Sequence, residues 1–69
     1  MIKTTVMPNC YMDSILILSV SRELMKLPGV HKAVAVMATD MNKTVVGEFG
    51  GLTASAANAG PNDLIVSLD

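Results

Sequence analysis

Residues 30–43 read VHKAVAVMATDMNK, and the fold turns on this stretch. Residues 33–38 form an unbroken apolar run between Pro28-Gly29 and Thr39-Asp40, the pattern of a strand buried on both faces rather than half exposed. The run reads as a central strand. Behind it, Thr39 or Asp40 is placed to cap a short helix in which Met41, Val45, Val46 and Phe49 recur at helical spacing. The strand therefore delivers Thr39, Asp40, Asn42 and Lys43 to one edge of a sheet.

Working outward toward the amino terminus, residues 10–27 have helical periodicity. At 100° per residue, Leu16, Ile17, Val20, Leu24 and Leu27 share one side with Leu18 and Met25 adjoining, while Ser19, Arg22, Glu23 and Lys26 lie opposite. That wide apolar arc suits a helix lying on a sheet. Asp13 falls in the first turn, where free backbone N–H groups and the helix dipole favour a carboxylate. Pro28 and Gly29 stop the helix, and Asn9 is positioned as its N-cap. Residues 2–7 alternate Ile2, Thr4 and Val6 with Lys3, Thr5 and Met7, the period-two pattern of a strand less buried than 33–38.

Toward the carboxyl terminus, the second helix contains Gly47, which costs about 1 kcal/mol relative to Ala, so docking must stabilise it. Gly50 and Gly51 end it. Residues 52–60 are rich in Ala, Ser, Thr and Asn and read mostly as loop, with room for one helical turn over 54–57. Pro61, Asn62 and Asp63 form a turn or an interface segment launching residues 64–68 as a strand. The order is β-α-β-α-β, with right-handed crossovers expected and the first two strands running parallel.

Composition narrows the function. A chain of 69 residues makes one small domain over 1–69, which buries only roughly 60% of its unfolded surface. Its hydrophobic content is 51%, with one Phe, one Tyr and no Trp, so the excess apolar surface points to another domain, another subunit or a second copy in a homo-oligomer. A net charge of −1 with five Lys plus Arg supplies no basic stripe for nucleic acid. One cysteine rules out an internal disulfide and fits a reducing, cytoplasmic setting. Thr4, Thr5, Pro8 and Asn9 interrupt any signal-peptide core, and the apolar run 15–18 is far short of the roughly 20 residues a membrane span needs.

Parallel first and second strands place their C-terminal ends on one edge, where open α/β sheets bind ligands. Asn9, Cys10 and Asp13 then face the same region as Thr39, Asn42 and Lys43, and these six form the candidate ligand site. Asn62 and Asp63 join them if the third strand is antiparallel. Cys10 at a helix start has the setting of an activated thiol, but His31 opens the central strand at its opposite end and no second cysteine exists. A structural thiol is the simpler reading, and no catalytic residue is assigned. One Cys, one His and scattered carboxylates do not supply three or four metal ligands. Asn42 and Lys43 at a helix start are suited to an anion, though a solvated first-turn charge explains Lys43 equally. The six Met residues are dispersed, as gap-fillers of a core or interface are.

Cys10, Asp13, Ser14, Ser21, Arg22 and Leu24, then Val36, Met37, Thr39, Asn42 and Lys43, then Ala59, Pro61, Asn62, Asp63 and Leu64 together resemble the amino-terminal region of FdrA-type proteins. These are acyl-CoA synthetase-like proteins related to the α subunit of succinyl-CoA synthetase. The resemblance runs over essentially the whole chain, with Ala38 standing where Gly is common and Ala35 in a usually bulkier run. It implies a module preceding CoA-binding and ligase-like domains, in a family associated with ureide and purine catabolism and carbamoyl transfer. CoA or a nucleotide would belong to those other domains, and this chain would bind no cofactor alone.

The expected fold is a small two-layer α/β sandwich of three strands and two helices, an incomplete ferredoxin-like arrangement. The expected function is that of an amino-terminal module or small subunit that positions catalytic domains and contributes a polar site. The alternatives are a regulatory module for an anionic metabolite and a homo-oligomeric assembly domain pairing through an open sheet edge.

Overall fold

The structure, a computed structural model, describes residues 2–69. The elements are β1 (Lys3–Met7), α1 (Ser14–Met25), β2 (Ala33–Met37), α2 (Asp40–Phe49), α3 (Ala54–Asn58) and β3 (Leu64–Leu68). The three strands form one sheet in the order β1-β3-β2, with β3 antiparallel to both neighbours. Leu64 is paired with Met7 on one side and Met37 on the other, and Leu68 with Lys3 and Ala33. β1 and β2 therefore run the same way without touching, and β3 starts at the edge where both of them end. The arrangement is compatible with a ferredoxin-like βαββαβ-type fold.

The central strand is β3, not the run over 33–38. In β3, Leu64, Ile65 and Ser67 are fully buried, whereas in β2 Ala33, Val34 and Val36 remain half-buried. An apolar run reports that its faces are covered. It does not report how many strands pair with it, and among the described residues β2 pairs with β3 alone.

Val6, Val34 and Val36 pack against a core of Ala38, Val46, Ala56, Ala59 and Ile65. Ala56 and Ala59 let α3 and its end pack close to the sheet, while α2 contributes Val46, and small residues of this kind let a chain with so few aromatics close a core. α2 starts at Thr39, whose hydroxyl accepts the Asn42 N–H, and ends at Gly50 with φ 92°, a left-handed cap that glycine takes without steric cost. The segment read mostly as loop contains α3, one short helix over 54–58 capped by Thr53. Its five residues are too few to show a helical period in the sequence.

α1 is shorter than the periodicity over 10–27, and its N-cap is Asp13 rather than Asn9. The Asp13 carboxylate accepts the Leu16 N–H at 2.9 Å from an extended backbone, φ −75° and ψ 170°. Asn9 has φ 54° in the turn after Pro8, a left-handed conformation that does not lead into a helix. α1 lies against β2, but none of its residues is buried.

At the other end of the sheet, the Thr4 hydroxyl donates to the Gly51 carbonyl at 2.6 Å and is hydrogen-bonded to the Ser67 hydroxyl. Thr4 has one proton, so Ser67 is the donor between the two hydroxyls. Ser67 is fully buried and satisfied, as a buried hydroxyl must be.

Candidate functional site

The antiparallel direction of β3 brings Asp63 to the edge where β1 and β2 end. Its carboxylate accepts the Asn9 N–H at 2.8 Å through Oδ1 and the Gly60 N–H at 2.8 Å through Oδ2. Its carbonyl accepts the Ala38 N–H at 2.9 Å. One residue thus ties together the turn after β1, the exit from β2 and the entry to β3. The Asn9 N–H chiefly, then the Gly60 N–H and the charge of Lys43, hold the Asp63 carboxyl below its ordinary value against an opposing desolvation.

Thr39, Asn42 and Lys43 sit at the head of α2 beside this edge, and each is bonded to the chain's own backbone. Asn42 Nδ2 donates to the Met37 carbonyl at 2.9 Å, fixing the start of α2 on the end of β2. Lys43 Nζ donates to the Ala57 carbonyl at 2.9 Å, fixing α2 against α3. The Thr39 hydroxyl caps α2 and the Asp13 carboxylate caps α1. Cys10 is a free, half-buried thiol between β1 and α1, and Pro61 and Asn62 are exposed in the turn before β3.

The structure thus joins Asn9, Asp63 and Lys43 at one edge and places Cys10 and Asp13 on the connection leaving it. What periodicity and composition did not point to is the hub role of Asp63. Sequence reading placed it in a turn, and only the strand direction brings it here.

A second feature lies on α1. Its residues Ile15, Leu16, Leu18 and Met25 are 75%, 52%, 58% and 46% exposed, and Leu27 just beyond is 48% exposed. An open groove of about 400 Å³ runs along this helix, lined by Ser19, Val20, Glu23, Leu24 and Leu27. The signal was present in the sequence as an apolar arc wider than one strand can cover. Among the described residues no helix is long and apolar enough to cross a membrane.

A model of the family described as "AllF, heavy metal-associated domain" matches residues 1–69. The chain is also similar to the uncharacterized protein YahF of Escherichia coli (strain K12), with 38% identity over 68 residues. That alignment takes in 99% of this chain and 13% of YahF, so the chain spans about an eighth of that relative's length. No solved structure matches it.

Proposed function

The chain belongs to the AllF heavy metal-associated domain family, and from that premise we propose that it serves as the amino-terminal module of a larger, FdrA-type acyl-CoA synthetase-like enzyme, holding catalytic domains in place rather than doing chemistry itself. The whole enzyme, on this reading, transfers acyl or carbamoyl groups, and CoA or a nucleotide is held by its other domains.

The observation that carries the reading is the apolar surface of α1. Its half-buried residues are Ile17, Val20, Ser21 and Leu24, the middle of the arc. Leu16 and Leu27 flank them on one side, and Leu18 and Met25 on the other, all exposed. An arc of roughly 200° with only its middle covered is wider than a surface helix needs for its own core, and exposed apolar residues on both flanks of the covered stripe support contact with another protein surface. A relative of which this chain matches only 13% supports a module within a longer protein.

The polar edge supports positioning over ligand sensing. Asp63, Thr39, Asn42 and Lys43 are bonded to backbone groups of their own chain, so in this reading Asn9, Cys10, Asp13, Thr39, Asn42 and Lys43 contribute one shaped wall of a site completed by other domains.

The test is the molar mass of the chain in solution, alone and mixed with an FdrA-type protein that lacks the corresponding region. Stable association, with transferase activity only in the mixture, is the expected result. A chain that self-associates and ignores the remainder would replace this reading with that of a homo-oligomeric assembly domain.

A further inference from the structure

The family's description names heavy metals, and the donor set of this chain does not fit one. Soft and borderline ions are held by small domains through two or more thiolates, or through thiolates combined with imidazoles, converging on one point. Here Cys10 is the only cysteine, on the connection between β1 and α1. Among the described residues no three side chains of His, Cys, Asp or Glu come together in a set that could hold a metal ion. His31 precedes β2, at the end of the sheet opposite the one Cys10 follows.

The carboxylates tied to this connection are already engaged. Asp13, three positions after Cys10, accepts the Leu16 N–H at 2.9 Å as the cap of α1. Asp63 accepts the Asn9 N–H and the Gly60 N–H, each at 2.8 Å. A metal recruiting either carboxylate would compete with the N–H groups that it accepts.

We propose that in this chain the turn after β1 is closed by the Asp63 carboxylate in place of a metal ion, and that the chain chelates no heavy metal. The carboxylate cross-links two turns by accepting one N–H from each. Backbone donors to a charged acceptor make the stronger class of hydrogen bond, so the cross-link needs no further ligand. The stringent probe is copper(I), because the thioethers of Met7 and Met12 flank Cys10 in sequence and thioethers favour that ion.

The chain is titrated with copper(I) against a chromophoric competing chelator, and separately with cadmium(II) while following thiolate-to-metal absorbance and the melting temperature. The expected outcome is that the competitor retains the copper, cadmium gives no saturating step at one equivalent, and Cys10→Ser behaves like the parent chain. A saturating step abolished by Cys10→Ser, with a melting temperature raised by about 10 °C at excess metal, would overturn the proposal. Asp63→Asn reads the other half. It should melt several degrees lower with no metal present, and an unchanged melting temperature would show that Asp63 does not close the turn.

Discussion

Asp63 and Asn9 are 54 positions apart in the chain, yet Asp63 Oδ1 accepts the Asn9 N–H at 2.8 Å. The contact depends on Asn9 holding φ 54°, a left-handed conformation that asparagine tolerates better than most residues with a Cβ. It depends equally on β3 running antiparallel, which brings Asp63 to the ends of β1 and β2. Local conformation and topology meet in one hydrogen bond.

Acid should weaken the fold through this residue. Asp63 is held below the ordinary value of 3.8 by the N–H groups of Asn9 and Gly60 and by Lys43, so on acidification the unfolded chain takes up its proton first. Its contribution to stability is complete above the ordinary carboxylate value and is lost as pH falls from there through the lowered one. Urea unfolding midpoints should show this contribution constant down to about pH 5 and falling below about pH 4. In Asp63→Asn the acid slope should be shallower. A variant with the parent slope would show that the carboxylate is not linked to folding.

Gly51→Ala should be severely destabilising for lack of space. Gly51 is buried, and a Cβ there would collide with Ser67 Oγ and lie 2.9 Å from Thr4 Oγ1. Ser67 is fully buried in the central strand and has no room to retreat. Overpacking of this kind costs about 2–3 kcal/mol, a large share of the roughly 3–10 kcal/mol expected for a domain this small. Adding Ser67→Ala to Gly51→Ala should recover part of the loss, because the two side chains compete for one volume. Urea denaturation of the two single variants and the double variant measures that coupling.

The three strands, α1 and α2 were legible in chain order, as was the placing of polar residues at the ends of β1 and β2; α3 was not, because its five residues show no helical period. The centre of the sheet was not. Residues 33–38 look central because Ala35, Met37 and Ala38 are buried, yet pairing partners are a property of the whole topology. The cap of α1 was misplaced because Asn9 and Asp13 are both good capping residues, and only the backbone angles separate them. Asn42 and Lys43 read from sequence as members of a candidate anion site, but their acceptors, the Met37 and Ala57 carbonyls, are backbone atoms with no signature in the sequence.

Removing the cap of α2 should have a moderate effect. The Thr39 hydroxyl accepts the Asn42 N–H at 3.2 Å, and Thr39→Ala leaves that donor to water, at a cost of about 1 kcal/mol. Thr39→Ser keeps the acceptor and should stay close to the parent chain. Unfolding midpoints of the two variants give the comparison. Equal losses would mean that the Thr39 methyl group, not its hydroxyl, stabilises the start of α2.

The flanks of α1 should separate folding from association. Leu16 and Leu18 are 52% and 58% exposed on opposite sides of the helix's half-buried stripe, so replacing either with Lys should change the stability of the chain by no more than about 0.5 kcal/mol. If α1 is the surface on which larger domains dock, one of the two variants should lose affinity for them at least about tenfold, since a charge in the centre of an apolar contact removes its burial and adds a desolvation cost. Ile65→Ala supplies the contrast: this side chain is fully buried in the core, and its loss should cost about 3 kcal/mol of folding stability. Sedimentation of each variant with an FdrA-type protein lacking this region reads association, and urea denaturation reads folding. If Leu16→Lys alone weakens association, the docking face includes the groove of Val20, Leu24 and Leu27. If Leu18→Lys alone does, the contact lies on the Met25 side. If both are tolerated in folding and in association, the apolar surface of α1 has no partner in the larger enzyme, and the module reading loses the observation on which it stands.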